Sequence, residues 1–297
     1  MGNTAVTLSI GGRHVRVGKL LAEGGFAFIY EAETDDTTPG GPGPPGGDSA
    51  GKRYILKRMR VPKNHEDLVK IAQKEQEICR SLAPHPNVVE IYGTHIMDIG
   101  QDWDYYILME ACQGNVAELV LGHYNRTTYL QQDLVLRVLR DVALALEHLH
   151  EREPPLAHRD IKVENVLLGP GGVFKVCDFG SGTTTHYTVT DTSKIPLIAE
   201  EISRNTTLAY RAPEQVDLYR QQPVSEKVDI WALGCMIYKL CYFRTPFEDN
   251  QGNVEKIGIL NGIEALRLPP PFLERLGFGD APFTPSVTDI MKLCMDQ

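Results

Sequence analysis

The chain is poor in several things that would mark a protein class. Cysteine is scarce: Cys79, Cys112, Cys177, Cys235, Cys241 and Cys294 are the six in 297 residues, and no two form a Cys-x-x-Cys pair. This excludes a disulfide framework and a thiolate zinc site, and reads as reduced thiols in a reducing compartment. Positive charge is also short. Thirty Lys and Arg against 39 Asp and Glu leave a formal net charge of −9, the wrong sign for neutralising a nucleic-acid backbone. Apolar runs such as Ile230–Ile237 fall far below the ~18 residues needed to span a bilayer. The start Met1-Gly2-Asn3-Thr4-Ala5-Val6 lacks the basic-then-apolar pattern of a secretory leader. Gly2 invites myristoylation, but Val6 stands where that signal takes Ser or Thr.

What remains is ordinary globular composition, 42% hydrophobic and 23% charged, at a length suited to one large domain or two lobes. Residues 5–60 alternate apolar and polar with Gly punctuation, as antiparallel strands do. Inside them, Asp35 to Gly51 is nearly all Gly, Pro, Asp, Thr and Ser and cannot bury a core. Pro39–Pro42 and Pro42–Pro45 have the PxxP spacing, but the Gly density favours a plain tolerated insertion. Residues 65–82 turn helical, with Leu68, Ile71, Ala72, Ile78, Cys79 and Leu82 on one face and Pro84 and Pro86 beyond. Strands are expected around Val88–Ile91 and Tyr105–Met109, helix from Leu119 onward with a strong 3.6 period over Leu134–His150, and short strands over 166–177. Residues 227–242 are apolar nearly all round, the mark of a buried helix. The result is α+β: a small β-rich lobe with one helix, then a larger helical lobe.

Two charges stand where charge is costly. Glu75 lies within the apolar stripe of the first helix, and Lys57 shares a strand face with Ile55 and Met59. Each alone is explained by snorkelling. Together they predict a buried ion pair, and a Lys so held is a clamp for phosphate oxygens. The turn Leu21-Ala22-Glu23-Gly24-Gly25-Phe26-Ala27-Phe28-Ile29 adds small residues that let backbone N–H groups approach an anion. It is neither a Walker loop nor a dinucleotide fingerprint, because a strand follows it.

Downstream come His158-Arg159-Asp160-Ile161-Lys162-Val163-Glu164-Asn165, then Asp178-Phe179-Gly180, Ala212-Pro213-Glu214 and Asp229-Ile230-Trp231-Ala232-Leu233-Gly234. In that order the set resembles the protein-kinase signature. The resemblance implies a bilobal kinase fold using ATP and Mg²⁺, with residues 1–16 as an N-terminal extension, 17–111 as the smaller lobe carrying the 35–51 insert, and 112–297 as the larger. It implies that Asp160 accepts the proton of the incoming hydroxyl, Lys162 contacts the transferring phosphate, and Asn165 and Asp178 ligate the metal. Lys57, oriented by Glu75, would hold the α- and β-phosphates. The nucleotide would lie against Leu21, Ala22, Gly24, Gly25, Phe26, Ala27 and Ile29. Met109 would be the gatekeeper, and Glu110, Ala111 and Cys112 the hinge that binds adenine. Arg159 is placed to receive a phosphate on the activation segment, Phe179, His158 and Cys79 to stack in a spine, and Asp229 to anchor the backbone at His158 and Arg159.

The stretches "LAEGGFAFIYEA", "HRDIKVENVLL", "CDFGSGTTTHY" and "EEISRNTTLAYRAPEQVDLY" resemble the Numb-associated kinases, nearest to the adaptor-associated and cyclin-G-associated members. This implies a Ser/Thr kinase acting on clathrin-adaptor medium chains, cytoplasmic and peripheral to vesicle or plasma-membrane coats, with an amphipathic helix over Ile195–Asn205. The alternative from another class is a pseudokinase or scaffold in vesicle traffic, which would lack a metal or phosphate ligand, and none is missing. Gly182 and Asn115 depart from the pattern, and residues 248–283 match it poorly. Kinases also carry a late Arg that pairs with the Glu of Ala-Pro-Glu. Here the chain ends at Gln297 without it, so a missing last helical segment and an unpartnered Glu214 are expected.

Overall fold

The computed structural model describes residues 7–24, 27–34, 53–249, 251–268, 281 and 283–296. The chain forms two compact units, residues 1–84 with 89–111, and residues 85–88 with 112–297. Among the described residues, no helix is long and apolar enough to cross a membrane.

The first unit follows from period-two patterning. Strands β1 (Thr7–Ile10), β2 (Arg13–Gly24), β3 (Ala27–Thr34), β4 (Arg53–Pro62), β5 (Ile91–Asp98) and β6 (Asp102–Glu110) form one antiparallel sheet in the order β1-β2-β3-β4-β6-β5. Leu8, Ile10, Val15, Ala32, Tyr54, Leu56, Tyr106 and Leu108 make a continuous core. The turn after β1 comes against β5. Gly11 has φ +56°, and a Cβ there would lie 2.3 Å from the Tyr92 carbonyl oxygen, so only glycine fits. Of the residues set aside in the sequence as an N-terminal extension, 7–10 and 13–16 enter the sheet, and a boundary at Val17 falls inside β2. The strand expected from Val88 begins only at Ile91, and Val88 makes an isolated bridge to Val176 instead. Helix α1 (Glu66–Ser81) carries Glu66 and Asp67 in its first turn and Arg80 in its last, the arrangement that suits its dipole. The 35–51 insert lies outside the described residues.

The second unit is mainly helical. It comprises β7 (Gly114–Asn115), α2 (Val116–Asn125), α3 (Gln132–His150), β8 (Val166–Leu168), β9 (Phe174–Val176), α4 (Ile195–Asn205), α5 (Pro213–Val216), α6 (Val228–Tyr242), α7 (Lys256–Asn261) and α8 (Pro285–Met295). The departure at Asn115 has a local cause: its side chain caps α2, accepting the Glu118 amide at 2.9 Å. The 3.6 period of α3 buries Val135, Val138, Leu139, Val142, Leu146 and Leu149. Helix α6 is buried almost throughout, as its all-round apolarity predicts. Its Gly234 admits α8 so closely that a Cβ there would sit 2.7 Å from Met295 Cγ and 3.0 Å from Cys294 Cβ. Together the units are a β-sheet lobe with one helix and a helical lobe.

Candidate active site

In the first unit, β4 puts Lys57 in register with Ile29 on β3 and Ile107 on β6. Its Nζ donates to Glu75 Oε1 of α1 at 2.6 Å, with the Lys and Glu side chains only 12% and 4% exposed. The expected pair is thus present and largely shielded from water, where an ion pair is both stronger and more dependent on its partner. Strand β4 is covered on both faces. Met59 is buried on the Lys57 side, and Leu56 is buried on the other, where Arg58 lies 4.8 Å from the Phe28 ring centroid and 5.2 Å from that of Tyr30.

Leu21, Ala22 and Gly24 lie on β2, and Ala27 and Ile29 on β3, with Ala22 opposite Ile29 and Gly24 opposite Ala27. Gly25 and Phe26 lie outside the described residues. Met109 and Glu110 end β6, half-buried. Glu110 is tied to Glu90 twice: its amide donates to the Glu90 carbonyl at 3.0 Å, and its Oε1 accepts the Glu90 amide at 2.7 Å.

In the second unit the chain turns sharply before β8. Arg159 has a left-handed backbone, φ +66°, costly for a residue with a Cβ unless its surroundings enforce it. Buried Asp229 on α6 does so. Its Oδ2 accepts the His158 amide at 2.7 Å and faces His150 Nε2 at 2.8 Å, and its Oδ1 accepts the Arg159 amide at 2.7 Å. The loop so fixed presents Asp160. Asp160 Oδ2 lies 2.8 Å from Lys162 Nζ and accepts Asn165 Nδ2 at 2.9 Å, while Oδ1 accepts the Thr207 hydroxyl at 2.8 Å. Lys162 Nζ donates in turn to Thr207 Oγ1 at 3.1 Å. Three of the residues singled out in the sequence, Asp160, Lys162 and Asn165, thus meet, and Thr207 joins them across 47 residues.

Asp178 follows β9 with φ +65°. The amide of its neighbour Cys177 donates to the Asn165 carbonyl at 3.0 Å, so the two segments bearing the oxygen donors are joined by backbone. His158 and Phe179 stack edge-on at 5.3 Å, both buried. Cys112 is half-buried, between β6 and β7.

Arg159 does not wait for a phosphate. Its Nη2 and Nη1 donate to Glu201 Oε1 and Oε2 on α4 at 2.8 and 3.1 Å, and its Nε to the Ser181 carbonyl at 2.8 Å. Tyr187 also donates to Glu201, at 3.4 Å, and burial together with that carboxylate pushes its hydroxyl up to about 12. Glu201 was not singled out in the sequence; a Glu in an amphipathic helix reads as a solvated residue. Burial lifts the Glu214 carboxyl above the usual range, and among the described residues it makes no ion pair.

The sequence model of the protein kinase domain matches residues 47–296. A "Probable serine/threonine-protein kinase" of Dictyostelium discoideum is 36% identical over 264 residues, 88% of this chain and 22% of its own. An actin-regulating kinase of Saccharomyces cerevisiae is 34% identical over 272 residues, 91% of this chain and 32% of its own. A second probable serine/threonine kinase of D. discoideum is 35% identical over 251 residues, 83% and 29%. The chain therefore covers 22%, 32% and 29% of these curated relatives. With a Lys–Glu pair joining strand and helix in the first unit, an Asp-centred loop in the helical unit and a family match over residues 47–296, this chain belongs to the protein kinase domain family.

Proposed function

We propose that the chain is an ATP-dependent serine/threonine protein kinase. The observation that carries this reading is the Asp160 cluster. A carboxylate whose two oxygens are engaged by Thr207, Lys162 and Asn165 is held in one orientation, as a base must be to take a hydroxyl proton at the moment of attack. In this reading Asp160 orients the substrate hydroxyl and accepts its proton, the γ-phosphoryl group passes to that oxygen as its bond to the β–γ bridging oxygen breaks and ADP leaves, and Lys162 offsets charge on the transferring group. Lys57, aligned by Glu75, binds the α- and β-phosphates of ATP. By the family resemblance Leu21, Ala22, Gly24, Ala27 and Ile29, with Gly25 and Phe26 of the same turn, are assigned to the nucleotide, and Met109, Glu110 and Cys112 to the adenine.

Asn165 and Asp178 supply hard oxygen donors suited to Mg²⁺. Because Asn165 spends its Nδ2 on Asp160, its amide oxygen is the atom it can offer a cation. The ion would neutralise phosphate charge.

The finer assignment rests on the resemblance to the Numb-associated kinases. On it we place the protein in the cytoplasm at vesicle or plasma-membrane coats, with a clathrin-adaptor medium chain as substrate. One relative is named for regulating actin, which supports an actin-linked role beside the endocytic one. Radiolabel transfer from ATP to that medium chain by wild type and by Asp160→Asn tests both levels. Loss of transfer in the variant supports the kinase reading, and equal transfer overturns it. Transfer to a generic Thr peptide but not to the medium chain removes the endocytic substrate alone.

A further inference from the structure

Gln76 is the residue after Glu75 and is completely buried, which is unusual for a side-chain amide. Its Nε2 donates to the main-chain carbonyls of His95 on β5 and Tyr106 on β6, both at 2.9 Å. Its Oε1 accepts Arg80 Nη2 at 2.9 Å, and Arg80 Nε reaches Thr94 Oγ1 on β5 at 2.6 Å. Both amide hydrogens are thereby used, and α1 is fastened to two strands by directional bonds as well as by packing. An apolar side chain would fill the same space but would take one donor away from each of those two carbonyls and from Arg80 its acceptor.

We propose that Gln76, assisted by Arg80, is a positioning residue that sets the rotation of α1 and so brings Glu75 onto Lys57. Consecutive residues on a helix point about 100° apart, so fixing the direction of residue 76 fixes that of residue 75. A rotation of 20° about the helix axis would swing a carboxylate some 6 Å from it by about 2 Å, enough to break the 2.6 Å contact with Lys57. Apolar packing tolerates such rotations, whereas two amide bonds to fixed carbonyls do not. The inference rests on reading Lys57–Glu75 as the pair that holds the phosphates.

The test is a double-mutant cycle on the full chain: wild type, Gln76→Met, Glu75→Gln and the pair combined, with phosphorylation of a Thr peptide measured against ATP concentration. Gln76→Met is expected to lower kcat/KM for ATP about tenfold through KM, leave KM for the peptide unchanged, and add less than about twofold in the Glu75→Gln background, because residues acting through one network are not additive. MgADP affinity by calorimetry is expected to fall in parallel. Arg80 is exposed, so Arg80→Ala is a variant that keeps the fold, and about a threefold rise in KM for ATP is expected of it. Equal losses in both backgrounds, or a lower melting temperature with KM for ATP and MgADP affinity unchanged, overturn the proposal. Those outcomes leave the kinase reading intact as long as Asp160→Asn abolishes transfer, so the two failures are distinguishable.

Discussion

Arg159 and Glu201 face each other as a two-pronged ion pair, with the guanidinium side chain 3% exposed and the carboxylate 40%. If Arg159 is the phosphate receiver that the family resemblance implies, this carboxylate takes the phosphate's part. Catalytic order in this segment is therefore expected to be independent of phosphorylation. Treating the protein with phosphatase leaves its activity unchanged, while Glu201→Ala lowers kcat about tenfold by leaving the arginine buried without its anion. A steep loss of activity on phosphatase treatment of wild type would contradict this.

Thr207 is both donor to Asp160 and acceptor from Lys162. Its hydroxyl, not its bulk, is what the loop needs. Thr207→Val, nearly the same shape, is expected to lower kcat about tenfold, the cost of about one charge-assisted hydrogen bond. Thr207→Ser is expected to retain most of the rate, and steady-state kinetics on the two variants decides it.

Asp229 is completely buried and answers two backbone amides of a loop with left-handed geometry. Asp229→Ala removes the acceptor and leaves those donors buried, which costs about 3 kcal/mol. Chemical denaturation of the isolated chain measures the loss. Activity falls with it, because the left-handed turn at Arg159 relaxes.

Glu214 gives a pH signature. Burial raises its carboxyl in the folded state above its unfolded value, so the folded form binds the proton more tightly. Its contribution to stability is full below the unfolded value and is lost as pH rises through the folded one. Glu214→Gln is then expected to raise the melting temperature at pH 7 and to change it little at pH 4. A variant equally affected at both values, followed by calorimetry, would show that the carboxyl is not the source.

Lys57 and Glu75 were legible because each violated the pattern of its own element, and two violations of opposite sign name one another. The Asp160 loop was legible as a motif, the helix over 134–150 through its periodicity, that over 227–242 through its all-round apolarity, and that over 195–205 through the family resemblance. Leu56 was not: alternation marks one buried face, and only the meeting of the sheet edges at Gly11 and Tyr92 covers the second. Val88 and Val89 look like strand but follow Pro86, and the ladder starts only at Ile91. Gln76 and Glu201 escaped because a polar residue on a helix reads as solvated until tertiary contacts supply its partner. Thr207 was not legible as a hydrogen-bond partner of Asp160, since 47 residues separate them.

Gly234 has a consequence beyond packing. With no side chain of its own, it lets Met291, Cys294 and Met295 of α8 cover the most apolar of the described helices. Even Gly234→Ala would push that cover away. The flaw would emerge at a distance, as an apolar surface that chaperones and proteases recognise, so the lesion would appear in the cell as low abundance while each surviving molecule kept an intact catalytic loop.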